Sequence, residues 1–108
     1  MNAIKLNEQQ LLRHHSESEA PILVEYQAPW CVYCRRIGPA IDKIAEQFQG
    51  SLSVATVDID ENPLLAAAEQ IEVIPTLVIY QRGKALGSVV APDSKAAIER
   101  FIRETLGA

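Results

Sequence analysis

Ile22-Leu23-Val24-Glu25-Tyr26-Gln27-Ala28-Pro29-Trp30-Cys31-Val32-Tyr33-Cys34-Arg35 is the stretch whose reading decides the fold. It opens with a near-continuous apolar run, Ile22 to Tyr26, the pattern of a strand covered on both faces. It closes on Cys31 and Cys34, the only two cysteines among 108 residues. Downstream, Ile37, Ile41, Ile44, Ala45 and Phe48 recur at helical spacing and form one apolar stripe. The cysteines therefore lie at a strand-to-helix junction, in the first turn of the helix. Residues three apart there share a face, with β-carbons about 5–6 Å apart. A disulfide wants roughly 3.5–4.5 Å, and a tightened first turn supplies the difference. Such a pair opens and closes without unfolding the chain, which is what thiol–disulfide exchange requires.

Working outward, Asn2–Leu6 reads as a weak strand, and Asn7 with Gln10 as a relative of the capping box that opens a helix to about His15. Ser16–Ala20 is a polar break. Pro39 inside the second helix removes a backbone donor and predicts a kink or an early break. Gln49-Gly50-Ser51 ends that helix, and Leu52–Ile59 is a second interior-type strand. Asn62-Pro63 reads as an N-cap followed by proline at the first helical position, with a short helix to Glu69. Thr76–Gln81 is a third strand, and Arg82-Gly83-Lys84 turns the chain into a weaker one, Ala85–Val90. Ser94 caps a last helix with Ile98, Phe101, Ile102 and Leu106 on its apolar stripe. The order βαβαβαββα predicts an α/β class with parallel strands, helices on both faces and an antiparallel hairpin edge.

Length and composition set the bounds. A chain of 108 residues is one domain, 1–108, with a single core. Its 48% hydrophobic and 22% charged fractions are those of a globular protein. A net charge of −4 gives no reason to expect nucleic acid or an anionic membrane surface. No apolar stretch approaches the roughly 18 residues that span a bilayer. Met1–Gln10 lacks a secretory pattern, and one CxxC fits a reducing compartment, so a cytoplasmic location is expected.

Zinc is the competing use of a CxxC, since His14-His15 offers two more ligands. Adjacent residues on a helix point about 100° apart, unlike the H-x₃₋₅-H spacing that brings both to one ion. No metal is therefore expected, and the histidines read as solvated residues near the helix end. Glu25 stands inside an apolar run. A carboxylate there must be neutral, hydrated or partnered, and burial raises its pKa; a plainer reading has it reaching solvent at the strand end. Trp30 likewise reads either as exposed rim or as packed core.

The element order, the strand–CxxC–helix junction and the later Ile74-Pro75-Thr76 together resemble thioredoxin. The resemblance runs from Ile4 to Leu106, with Leu23-Val24-Glu25, Ala28-Pro29-Trp30-Cys31, Pro39, Asp58-Ile59-Asp60, Ile74-Pro75-Thr76 and Gly83 in the family's order. It implies the thioredoxin fold, a central mixed five-stranded sheet flanked by four helices. It implies Cys31 as the attacking thiol, its pKa lowered at a helix N-terminus. Cys34 is then the resolving thiol, and Glu25 an acid that moves protons to and from it. Pro75 is implied to be a cis proline facing the disulfide, although without the family context a trans proline starting an edge strand is the ordinary reading. Trp30, Tyr33, Ile74, Pro75 and Ala91 then make a shallow substrate-binding rim. The implied activity is protein disulfide oxidoreduction without a bound cofactor. Electrons come from an NADPH-dependent thioredoxin reductase or from glutathione, and disulfide-containing proteins are partners of a monomer. A disulfide oxidant or isomerase of the same fold, and a binding module with poor turnover, are the alternatives.

Four departures qualify the resemblance. Val32-Tyr33 replaces the Gly-Pro usual between the cysteines, which predicts a more oxidising potential than ordinary thioredoxin. Thr56 stands in place of a lysine that pairs with the buried acid, so the Glu25 pKa is expected to rise further or water to replace that cation. Gln27 replaces an aromatic residue. Ala91 replaces a glycine where the substrate backbone approaches, and the extra methyl narrows what can dock. Glu25 together with Ala28-Pro29-Trp30-Cys31 is closer to protein disulfide isomerase domains.

Overall fold

The structure, a computed structural model, describes residues 2–107. Five strands make one sheet: β1 (Ile4–Lys5), β2 (Ile22–Gln27), β3 (Ser53–Asp58), β4 (Thr76–Gln81) and β5 (Lys84–Val90). Four helices alternate with them: α1 (Glu8–Glu17), α2 (Val32–Gln47), α3 (Pro63–Ala68) and α4 (Lys95–Leu106). The strand order is β1-β3-β2-β4-β5. The first three run parallel, and β4 and β5 are antiparallel additions. The predicted mixed sheet and element order are thus present.

Strand β2 is central because both its faces are covered. Leu23 joins Ile37, Ile41 and Ile44 of α2 and Ile98 and Ile102 of α4 in one apolar layer. Ile22, Val24 and Tyr26 join Leu11 of α1 and Leu65 of α3 in the other. The alternation of side chains along a strand sends neighbours to opposite layers. Glu25, next to both Val24 and Tyr26, therefore shares the α2/α4 side with Leu23.

The local signals act as their chemistry dictates. Asn7 accepts from the Gln10 N–H while the Gln10 side chain returns to the Asn7 N–H, closing the capping box. Ser94 accepts from Ala97 N–H at 3.1 Å and opens α4. Arg82 (φ 54°) and Gly83 (φ 81°) are both left-handed, as a tight β4–β5 hairpin needs.

Several expectations need correcting. Strand β1 covers only Ile4–Lys5 of the predicted Asn2–Leu6, and α1 continues to Glu17 rather than stopping near His15. Of the kink or early break expected at Pro39, the early break does not occur, and α2 continues from Val32 to Gln47. Proline removes one bond to the Arg35 carbonyl, but both residues are exposed, so the loss falls on the solvent side while Ile37, Ile41 and Ile44 hold the helix to the sheet. Asn62 precedes Pro63 at the start of α3, yet its side chain makes no capping bond. It accepts instead from Glu8 N–H at 3.0 Å and donates to the Asp58 carbonyl at 3.0 Å, tying α1 to the end of β3.

His15, expected to be solvated, is half-buried. Its ring packs on Tyr80 with centroids 5.0 Å apart, and burial lowers its pKa. The hairpin at Gly83 brings that glycine's backbone against the same side chain.

Candidate functional site

Sheet topology decides what meets the cysteines. Parallel β2 and β3 finish at the same end of the sheet, in the register Gln27 beside Asp58. The antiparallel strand β4 begins there, Thr76 lying beside Tyr26, and β5 ends there, Val90 lying beside Thr76. The chain segments at that end carry Trp30 and Cys31, Asp60, Ile74-Pro75, and Ala91. Residues scattered over 60 positions of sequence thus share one end of the fold.

Cys31 occupies the N-cap of α2 with extended backbone (φ −83°, ψ 107°). Its Sγ accepts from the Cys34 backbone N–H at 3.1 Å. This is the place that Ser, Thr or Asp takes in an ordinary helix, here filled by sulfur. A thiolate at that point receives a backbone donor and the positive end of the helix dipole. Cys31 and Cys34 are joined as a disulfide with α-carbons 5.2 Å apart, within the usual range of about 4.4–6.8 Å. Both are nearly buried. The turn before them is held by Cys31 N–H on the Ala28 carbonyl and by the Arg35 guanidinium on the Pro29 carbonyl.

Glu25 does not reach solvent; only 3% of it is exposed. It lies between Thr56 of β3 and Leu77 of β4. Its Oε2 is buried without a hydrogen-bond partner among the described residues. Burial, and secondarily the charge of Asp42, push its pKa up from 4.5 to about 7. Thr56 beside it brings no cation, so nothing on β3 offsets that rise.

Trp30 is rim, not core. It is 63% exposed, and its Nε1–H donates to Asp60 Oδ2 at 2.7 Å. Asp60 is a site neighbour that the sequence reading did not pick out by role. The signal was its place just past the end of the strand beside β2. Val32, Val73 and Val90 are likewise exposed. The Ile74–Pro75 bond is cis, and the Pro75 carbonyl accepts from Ala91 N–H at 2.8 Å. Ala91 holds left-handed backbone, φ 47°. Tyr33 is half-buried against the α2/α4 layer, its hydroxyl donating to the Pro92 carbonyl at 3.0 Å.

A cysteine pair that caps its own helix and closes into a disulfide across its first turn is the arrangement of a thiol–disulfide oxidoreductase. The family model described as Thioredoxin matches residues 2–104. "Thioredoxin 1" of Synechococcus elongatus is 40% identical over 90 residues, 83% of this chain and 84% of the relative. "Thioredoxin 1" of Nostoc sp. is 38% identical over the same length and the same shares. "Thioredoxin M-type, chloroplastic" of Zea mays is 36% identical over 89 residues, 82% of this chain and 53% of the relative. The chain belongs to the thioredoxin family. Its activity is protein thiol–disulfide exchange through the Cys31–Cys34 couple.

Proposed function

We propose that this protein works chiefly as a reductant of disulfides in partner proteins. Electrons reach it from an NADPH-dependent reductase or from glutathione. The Cys34 N–H on Cys31 Sγ favours the thiolate at Cys31 and marks it as the attacking sulfur, and the likeness to thioredoxins is what favours reduction as the net direction. That thiolate attacks a substrate disulfide, forming a mixed disulfide and releasing one substrate thiolate. The Cys34 thiol, giving its proton to Glu25, then attacks Cys31 Sγ. The Cys31–Cys34 disulfide forms, the second substrate thiolate leaves, and two electrons have passed to the substrate. These groups suffice for the exchange, so no metal or organic group is required.

Trp30, Ile74, Pro75 and Ala91 are proposed to meet the substrate chain. Tyr33, the fifth residue expected there, has its hydroxyl engaged by the Pro92 carbonyl. A reducing compartment is the proposed setting, the cytoplasm first, because the chain holds a single cysteine pair and nothing to staple.

A second reading has a specific observation behind it. Thr56 beside Glu25 leaves the acid without a cation, and Val32-Tyr33 replaces the stiffer dipeptide of ordinary thioredoxin. Both suit an oxidant or isomerase of the same fold. The test is turnover of a protein disulfide with NADPH and thioredoxin reductase, against glutathione alone, with the potential titrated in a dithiol buffer. Reductase-coupled turnover is the expected result, with a potential less negative than the family's roughly −270 mV. Turnover with glutathione only would move the assignment to the second reading. No turnover in either system would leave a binding module.

A further inference from the structure

The β5–α4 connection is three residues long, Ala91-Pro92-Asp93, between Val90 and the Ser94 cap. Two ties hold it. Ala91 N–H donates to the Pro75 carbonyl at 2.8 Å, and the Pro92 carbonyl accepts from the Tyr33 hydroxyl at 3.0 Å. The second tie crosses from the dipeptide between the cysteines, 59 residues away in sequence. What it holds is not a relaxed loop. Ala91 carries φ 47°, a region that a residue with a β-carbon leaves unless restrained. If Ala91 returned to ordinary backbone, its N–H would swing away from Pro75.

We propose that Tyr33 is a positioning residue that sets substrate specificity: its hydroxyl straps the Ala91-Pro92 loop to the active-site turn and so fixes the wall against which an extended substrate segment docks. The ring does this from inside, packed against the α2/α4 layer, and not as a surface that substrate touches. The strap acts on binding of polypeptide disulfides, which need the wall, and not on the exchange chemistry itself. It rests on the docking role given above to Ala91 and Pro75.

Tyr33→Phe keeps the ring and removes only the hydroxyl. Two measurements on the full chain are paired: hydrogen exchange of the Ala91 amide by NMR, and reduction of insulin with reductase and NADPH. Ala91 exchange is expected to accelerate roughly three- to tenfold, the worth of one neutral hydrogen bond, while the core amide of Val78 does not follow. KM for insulin rises by the same roughly three- to tenfold factor and kcat holds. In an Ala91→Gly background, where glycine takes left-handed backbone freely, Tyr33→Phe should change both quantities less than about twofold.

Unchanged Ala91 exchange overturns the strap whatever the kinetics. Equal acceleration at Ala91 and Val78 overturns it too, since that is general loosening. Accelerated exchange with KM unmoved, or with kcat falling instead, overturns the claim on specificity and counts against the loop as a docking wall. Equal effects in the alanine and glycine backgrounds overturn the link to backbone strain.

Discussion

Cys34→Ser is expected to arrest the protein on its substrate, and Cys31→Ser to leave it inert. In the first variant Cys31 still sits at the helix N-cap, and serine at 34 still offers its backbone N–H to the sulfur. Attack on a substrate disulfide proceeds, but nothing resolves the product. A covalent adduct accumulates, visible as a mass increase and released by dithiothreitol. Turnover falls by at least about a thousandfold, modest against enzymatic accelerations of roughly 10⁶-fold or more. The second variant loses as much turnover and forms no adduct. If the adduct appeared on Cys31→Ser in place of Cys34→Ser, the roles of attacking and resolving thiol would have to be exchanged.

Glu25→Gln is expected to stabilise the oxidised protein at pH 8 and leave it nearly unchanged at pH 4. The carboxyl titrates near 4.5 in the unfolded chain and near 7 in the fold, because burial and Asp42 disfavour its charge. Below 4.5 it is protonated in both states, and the folded state bears no charge penalty. Between 4.5 and about 7 the unfolded chain loses its proton while the fold retains it, so stability declines as pH rises. Above 7 the whole loss is in place, on the order of 3 kcal/mol. Glutamine stays neutral throughout and escapes it. Urea unfolding of both proteins at pH 4 and pH 8 measures the difference; a gap of equal size at both values would mean that the carboxyl's charge is not its source. The same variant is expected to flatten the pH dependence of Cys34 reactivity. A base poised near neutrality suits proton transfer, and an unaltered profile would remove Glu25 from the relay.

Much of this site was legible because its signals are local. The apolar run of β2, the cysteines at a helix start, the helical stripe of α2 and the Ser94 cap all lie within a few residues of what they control. The geometry that gives each residue its job is mostly not local. The Trp30–Asp60 bond spans 30 residues, Glu8–Asn62 spans 54, and Tyr33–Pro92 spans 59. No spacing rule encodes such pairs; they appear once the register of the strands sets which loops face each other. Asn62 shows the same limit from the other side. Its sequence position says cap, and its side chain is drawn away by the Glu8 and Asp58 backbone that tertiary structure brings within reach. At Pro39 the helix continues, since three isoleucines on the sheet outweigh one missing bond at an exposed position. Tyr33 shows the same limit at the site itself: the packing of its ring on the α2/α4 layer and its bond to the Pro92 carbonyl depend on where α4 and its preceding loop lie.

The donor that steadies Cys31 is a main-chain N–H, and this separates two properties that a side-chain donor would fuse. Every amino acid except proline at position 34 supplies that group. Substitutions at 32 and 33 can therefore move the redox balance over a wide span while the nucleophile keeps its cradle, and position 34 has only to keep its thiol. The site behaves like an instrument with independent gain and offset: reactivity is set by the backbone, poise by the side chains.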